Sequence, residues 1–311
     1  MIWTNLQKFV AEQHAESTLY LLLDPLAEST NGDPLAIATL QQALGEQAIT
    51  RVPRPDLAHA PQALPVLVKL SSPACPLESR LLELSARRAK VDGKQSRRYV
   101  CGWLSSTKTA EAIAARIVEL SHLPAEKGHL YFPLHEPLRL ELLVGTFESC
   151  EQGYWWPIQQ WMFPTSSGAN SKVIGLPERG CDPAPHAHTL QQEAKHVAGL
   201  LRSWRNALEL PQAFTPNRWS GPTPLPPRAA AQVYRQIHQS RTLGLQNDHD
   251  IGTLALLHLL VHPHLHQHPD VRVLIDQAVG EQTSLSQLLT PYIDRDWSKV
   301  VSDLPHAGTR P

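Results

Sequence analysis

Apolar residues in the first half of the chain form two alternating patterns, short continuous runs and runs with helical spacing. Leu19–Leu23 has no alternation of polar residues, which is typical of a strand covered on both faces. Further short apolar runs predict strands at Leu64–Leu70, Tyr99–Ser106 and Leu130–Phe132. Helical spacing predicts helices at Leu35–Leu44, Leu77–Val91, Thr107–His122 and Pro137–Phe147. This alternation favours a layered α/β domain, which we place at residues 1–165. The strand directions stay open, and we expect a mixed sheet with flanking helices.

The second half of the chain has only helical spacing, interrupted by two segments rich in proline and glycine. We interpret residues 166–188 as a linker. Residues 211–227 contain six prolines and form a break that cannot be helical. Helices are predicted at Thr189–Leu208, Ala229–Thr242, Asp248–Val261, Pro269–Val279 and Ser284–Ile293. These helices predict an all-α lobe over residues 189–300, followed by a tail at residues 301–311.

Composition excludes several classes of protein. The chain has 311 residues, of which 42% are hydrophobic and 18% charged, so a disordered chain is excluded and two cores can form. With a formal net charge of -1, we expect no nucleic-acid partner. The N-terminus lacks the pattern of a secretory signal, and no run reaches the roughly 18 apolar residues of a membrane span. The four cysteines form no Cys-x-x-Cys pair, which is typical of a reduced, cytoplasmic protein.

A group of histidines is the strongest candidate for a metal site. His258 and His262 are spaced i,i+4, which places two imidazoles on one helix face. His264, His266 and His268 follow at alternate positions between two prolines, which predicts a loop. No His-Glu-x-x-His motif is present, so we interpret these residues as solvated loop and helix-end histidines. A metal-dependent hydrolase that uses the His258–His268 cluster remains an alternative.

Other residues that could support chemistry form no recognisable motif. The basic run Arg87–Arg98 is interpreted as a solvated helix-end face rather than as an anion site. The nucleophile elbow, the phosphate loop and the dinucleotide-binding motif are all missing from the sequence. Cys101 and His135 could act as a nucleophile and a base, but nothing in the sequence brings them together. We therefore predict no catalytic residue, no cofactor and no metal ion.

Tryptophan is concentrated in one region. We expect Trp103 and Trp161 to be core residues, because burial of this large side chain is strongly stabilising. Trp155 and Trp156 are adjacent, so their side chains point in different directions and are not expected to be buried together. Because aromatic residues are enriched at binding hot spots, Trp155 and Trp156 are the candidate partner-binding residues.

Three stretches of the chain carry landmarks in a particular order. In Leu19–Leu26 an apolar run ends in Asp24, and Gly102–Ser106 is a Gly-Trp-Leu strand closed by serines. From Leu130 to Trp161, a predicted strand and helix precede a Pro-Ile-x-x-Trp element. Together these stretches resemble the effector adaptors of bacterial type VI secretion, the Tap/Tec family. That family usually has an Arg-x-x-Asp-Pro pattern after the strand, and Tyr131–Pro137 lacks its Arg and Asp.

The resemblance implies a function that needs binding surfaces rather than catalytic groups. Proteins of this family bind a toxic effector and load it onto the spike protein of the secretion machine. The expected partners of this chain are therefore a cognate effector toxin and a spike protein, with no membrane partner. An immunity protein that neutralises a toxin is a further alternative, since it would also lack catalytic motifs.

Overall fold

The computed structural model divides the chain into two compact units, residues 1–194 and residues 195–311. The residues that it describes are 2–27, 32–73, 77–95, 97–146, 152–177, 186–210, 214–280 and 283–305. Within these ranges, the first unit contains both strands and helices, and the second contains helices and no strands.

The strands of the first unit form a six-stranded sheet and a separate two-stranded hairpin. The strands are β1 (Thr18–Leu23), β2 (Ile49–Arg51), β3 (Val66–Ser71), β4 (Val100–Ser106), β5 (His122–Ala125), β6 (Gly128–Tyr131), β7 (Gln160–Pro164) and β8 (Asn170–Ile174). The helices of this unit are α1 (Ile2–Ala11), α2 (Ile37–Leu44), α3 (Ser79–Asp92), α4 (Ala110–Leu120), α5 (Pro137–Thr146), α6 (Gln152–Trp155) and α7 (Ala187–Gln192).

The strand order in the large sheet is β2-β3-β1-β4-β7-β8. Strands β3 and β4 both run antiparallel to β1, which lies between them, so they are parallel to each other. Helix α3 connects these two strands, and β1 is inserted into the strand–helix–strand unit. The predicted fold class, an α/β domain followed by a helical lobe, is confirmed. We had expected a mixed sheet. Each described pairing in the large sheet is antiparallel, because β1 lies between β3 and β4 and keeps these two parallel strands from pairing directly.

The core of this unit forms around β1. All residues of Leu19–Leu23 are buried, as expected for a strand covered on both faces. Trp103 pairs with Leu21 in the neighbouring strand and donates its indole N–H to the Ser85 hydroxyl of α3 at 2.9 Å. The predicted burial of Trp103 is therefore confirmed, and its polar atom has a partner inside the core.

The hairpin β7–β8 corrects the described part, residues 166–177, of the linker predicted at residues 166–188. Residues 178–185 of that prediction lie outside the described residues. The turn between its strands is buried, and Glu141 accepts hydrogen bonds from the Ser166 backbone N–H at 2.6 Å and from its hydroxyl at 2.7 Å. Arg98 donates to the Pro164 carbonyl oxygen at 2.6 Å. The polar residues of the turn thus bond to protein instead of water, which composition alone cannot indicate.

Two further elements differ from their predictions. The strand predicted at Leu130–Phe132 is β6, which pairs with β5 in a separate hairpin and not with the large sheet. Helix α4 is shorter than predicted and begins after Thr109, not after Thr107. The Thr109 hydroxyl accepts a hydrogen bond from the Ala112 backbone N–H at 3.4 Å and so caps the helix.

The second unit consists of helices α8 (Ala194–Glu209), α9 (Ala229–Thr242), α10 (Asp248–Leu260), α11 (Pro269–Gly280), α12 (Leu285–Leu289) and α13 (Asp294–Ser302). The helix predicted at Thr189–Leu208 is two helices, α7 and α8, and the division between the units falls after Ala194, the first residue of α8. Helix α12 ends before Pro291, which cannot continue a helix. The described part of the proline-rich break, residues 214–227, has no helix or strand, as predicted.

We predict that Glu141→Gln weakens the sheet unit. The change keeps the shape of the side chain but removes the charge that accepts two hydrogen bonds from Ser166. Because hydrogen bonds to charged groups contribute about 1.5–3 kcal/mol, the free energy of unfolding should fall by about that amount in urea denaturation. The matched change Glu119→Gln, at a side chain 70% exposed, should cost less than about 0.5 kcal/mol. Equal effects of the two changes would contradict this role of Glu141.

Candidate functional site

The aromatic segment that we predicted to bind a partner lies where α6 leads into β7. Trp155 is 2% exposed, and its ring packs edge-on against Tyr154 and Trp161, with centroids 5.0 Å and 6.5 Å away. Trp161 is also buried, as predicted. Trp155 is therefore a core residue, which corrects its assignment as a partner contact. Trp156 is half-buried and is the member of the pair that a partner can reach.

Gly175 fixes the backbone of the two tryptophans against the end of β8. A Cβ atom at this position would lie 2.2 Å from the Ile158 carbonyl oxygen and 2.9 Å from the Trp156 backbone nitrogen, so only glycine fits. The Gly175 backbone N–H donates to the Gln159 carbonyl oxygen at 2.9 Å. These contacts place the Trp156 backbone beside the end of an edge strand.

Apolar side chains are exposed at this edge of the sheet. Strand β8 is the last strand in the sheet order, and Ile174 and Leu176, on either side of Gly175, are 40% and 37% exposed. We name Trp156, Ile174 and Leu176 the Trp156 edge. Exposed apolar residues beside an edge strand are typical of surfaces that bind another protein. The sequence prediction missed Ile174 and Leu176 because they fall in the presumed linker, although β-branched Val173 and Ile174 are a strand signal.

The histidines of the metal hypothesis are packed inside the helical unit, not solvated as we predicted. His258, His262 and His268 are buried, and His266 is half-buried. The His266 Nδ1 and His258 Nε2 atoms lie 3.2 Å apart and form a hydrogen bond. After α10 the chain turns back over the end of the helix, where Leu265 is fully buried. This turn places the imidazole of the next residue, His266, against His258.

Burial lowers the pKa values of three of these histidines, His258, His262 and His266, and so favours their neutral form. Burial, with a smaller contribution from the neighbouring imidazoles, lowers the pKa of His258 to about 3. Burial also lowers the pKa of His262 and the pKa of His266. Within the described ranges, no group of three or more His, Cys, Asp or Glu side chains is placed to hold a metal ion. The arrangement is that of a buried imidazole pair.

The basic run Arg87–Arg98, which begins in the last turns of α3, is divided between structural and solvated roles, whereas we had predicted a solvated face. Arg88 forms ion pairs with Asp33 at 2.7 Å and with Asp92 at 2.8 Å. Arg98 is buried, where it bonds the β7–β8 turn. The other four residues of the run are exposed and fit the prediction, namely Arg87, Lys90, Lys94 and Arg97. Arg88 and Arg98 therefore hold the fold together and offer no anion site.

A buried polar cluster that the sequence analysis missed lies at the end of β1. The Asp24 Oδ2 and His135 Nε2 atoms are 3.9 Å apart, and neither side chain is exposed. Arg54 approaches His135 at 3.5 Å and forms an ion pair with Asp56 at 2.6 Å. Burial alone would raise the pKa of Asp24, but the His135 imidazole and the Leu26 N–H outweigh it and lower the pKa. The signal in the sequence that could have indicated this cluster is Asp24, an acidic residue directly after the apolar run Leu19–Leu23.

Cys101, which we considered as a nucleophile with His135 as its base, is not placed to act as one. Cys101 is fully buried, and its thiol donates to the Arg98 carbonyl oxygen at 3.7 Å. Burial raises the pKa of the Cys101 thiol far above its ordinary value, so the thiolate is not formed at neutral pH. The other cysteines, Cys75, Cys150 and Cys181, lie outside the described residues.

No protein-family model, curated protein or solved structure matches the chain. In the part of the chain that the structure describes, none of the helices has the length and apolarity needed to cross a membrane. The function is therefore inferred from the geometry above and from the resemblance of three stretches to a known family.

We predict that the stability of the helical unit falls with acidification through His258. Its pKa is about 3 in the folded chain and about 6.5 in the unfolded chain, so the unfolded chain binds more protons between these values. The stabilisation is complete above pH 6.5 and decreases as the pH falls, by about 1.4 kcal/mol per pH unit.

Urea denaturation between pH 7 and about pH 4 measures this slope. In His258→Gln, the change in the free energy of unfolding per pH unit should be smaller by the contribution of one proton. His238→Gln, at an exposed position of the same unit, should leave this slope unchanged. An unchanged slope in His258→Gln would show that the proton uptake arises elsewhere.

A further prediction separates the two adjacent tryptophans. Trp155→Ala should lower the free energy of unfolding by about 3–5 kcal/mol, since it removes a fully buried aromatic side chain. Trp156→Ala should cost less than half as much, because this side chain is only half-buried. Thermal and urea denaturation of the two variants give the comparison. Similar losses would mean that Trp156 is also a core residue.

Proposed function

We propose that the protein is a non-enzymatic adaptor that acts in the cytoplasm, binds a secreted toxic effector and loads it onto the type VI secretion spike. The observation that carries this proposal is the arrangement of the three family-like stretches. They are distant in the sequence, yet β1, β4 and β7, which they contribute, are neighbours at the centre of the sheet.

The contacts between these strands involve the landmark residues themselves. Leu21 of β1 is paired with Trp103 of β4, and Leu104 of β4 is paired with Trp161 of β7. The adjacency of these three strands is the observation that supports the proposal.

The Trp156 edge supplies a surface suited to this function. It comprises a half-buried indole and two exposed aliphatic side chains at β8, the last strand in the described order of the sheet. An aromatic anchor surrounded by smaller apolar contacts is the usual composition of a protein-binding hot spot. The sheet unit can therefore bind a protein partner without any catalytic group.

The alternatives are less well supported by the geometry. A metal-dependent hydrolase would need an open metal position, whereas His258 is buried and hydrogen-bonded to His266. An immunity protein would bind a toxin but not a spike protein. Binding to the spike therefore distinguishes an adaptor from an immunity protein.

The expected result of co-expressing the chain with the spike and effector encoded beside it is a stable complex that contains both. Trp156→Ala should weaken binding of one partner by at least about fivefold, equivalent to ~1 kcal/mol, in isothermal titration calorimetry. Trp297→Ala is the matched control, since Trp297 is half-buried in α13 of the helical unit and is not part of the edge strand, and it should leave both affinities unchanged. Failure of the unmodified chain to bind either protein at micromolar concentration would refute the adaptor function.

A further inference from the structure

Strand β8 is the last strand in the described order of the large sheet, so one edge of its backbone faces away from β7. The Gly175 backbone N–H donates to the Gln159 carbonyl oxygen at 2.9 Å, which makes these two residues a hydrogen-bonded pair. Bonded and non-bonded pairs alternate along an antiparallel ladder. The printed register therefore directs the backbone groups of Ser171 and Val173 toward β7.

The remaining residues of β8 direct their backbone groups away from β7, namely Asn170, Lys172 and Ile174. Asn170 is paired with Pro164, which has no N–H to donate, as expected for a non-bonded pair. No residue of the described ranges forms a backbone hydrogen bond with the N–H or carbonyl group of these three residues. The edge of the strand thus presents donors and acceptors that repeat about every 6.8 Å.

The two faces of β8 are covered by other parts of the sheet unit. On one face, Lys172 forms an ion pair at 3.1 Å with Glu12, which follows α1. On the other face, Val173 is buried and the backbone of the aromatic segment lies against Gly175. The part of β8 that a partner can reach is therefore its backbone edge, with the exposed side chain of Ile174 at its end.

We propose that a partner protein adds an extended segment to β8 as a seventh strand of the sheet. A β-strand presents N–H and carbonyl groups at the spacing of Asn170, Lys172 and Ile174, whereas a helix uses its backbone groups internally. Backbone hydrogen bonds supply affinity, and an apolar residue opposite Ile174 supplies specificity. The proposal rests on the adaptor function, and the segment belongs to the partner that contacts the Trp156 edge.

A second copy of the chain fits this edge less well than a partner does. The longest self-pairing of β8 places Lys172 directly opposite Lys172 of the other copy, and like charges in that position are destabilising. The five residues of β8 span about 17 Å, and at a layer spacing of about 10 Å their edge covers roughly 170 Å². A stable dimer buries about 800 Å² per subunit. The edge therefore suits one segment of a partner whose interface extends onto the Trp156 edge.

The test compares two substitutions at one residue. Ile174→Pro deletes an outward N–H, while Ile174→Ala shortens the same side chain and keeps the N–H. An edge strand tolerates proline where its nitrogen faces away from the ladder, and Val173 before it is already extended. Both variants should keep the circular dichroism spectrum of the unmodified chain. In calorimetry with the spike and effector encoded beside the chain, Ile174→Pro should bind one of them at least about tenfold more weakly than Ile174→Ala does.

Hydrogen exchange at residue resolution gives a second measurement, on the unmodified chain. The amides of Ser171 and Val173 are bonded to β7 and should exchange slowly in the free chain, whereas the amides of Lys172 and Ile174 should exchange quickly. Binding of the partner identified by the proline variant should slow exchange at Lys172 and Ile174 by at least about tenfold.

The outcomes separate this inference from the adaptor function. Equal affinities of the two Ile174 variants, or exchange at Lys172 and Ile174 that stays fast in the complex, would overturn strand addition, while the adaptor function would stand. Slow exchange at these two amides in the free chain that is lost on dilution would replace the partner with a second copy of the chain. An unmodified chain that binds neither protein would remove both proposals together.

Discussion

Burial of β1 on both faces is the constraint on which the sheet unit depends. The strand lies between β3 and β4, so it forms backbone hydrogen bonds on both edges while its side chains are covered on both sides. An apolar strand in this position cannot shift by one residue, because each shift would exchange the two packed faces. The register of β1 therefore sets the register of β4, and through β4 that of β7 and the aromatic segment before it.

Buried polar side chains of this unit form hydrogen bonds between elements that are distant in the sequence. Glu141 of α5 and Arg98, which precedes β4, both bond the turn of the β7–β8 hairpin. A buried charge is tolerated only when its bonding capacity is used, so these contacts are directional as well as stabilising. They hold the edge strand in place, and the position of the Trp156 edge follows from them.

The two units offer different kinds of surface. The sheet unit presents an edge strand with exposed aliphatic side chains, and the helical unit presents a groove with apolar walls. In the helical unit, the neutral His258 and His266 pair fills the interior as a polar but uncharged element. An adaptor that meets two proteins needs two such surfaces, and neither requires a catalytic group.

The sequence alone determined the elements with strong internal patterns. The apolar run at Leu19–Leu23 and the helices of the second half follow from local hydrophobic periodicity, which tertiary packing did not override. The prediction that Trp155 and Trp156 would not both be fully buried followed from chain direction alone, and burial bears it out. Which of them is buried was decided by tertiary contacts, since Trp155 packs on Trp161 and the backbone of both tryptophans lies against Gly175 at the end of β8.

Only the tertiary structure decided the features that depend on partners distant in the chain. A serine-rich segment was predicted as a linker because its composition suits water, yet Glu141 and Arg98 satisfy its polar groups inside the protein. Histidines between prolines were predicted to be solvated, yet burial of Leu265 turns them onto α10. Strand order and the groove at Gly199 and Gly252 likewise arise from packing between elements. Local sequence specifies the backbone preference of a segment, but its environment depends on what the rest of the chain places against it.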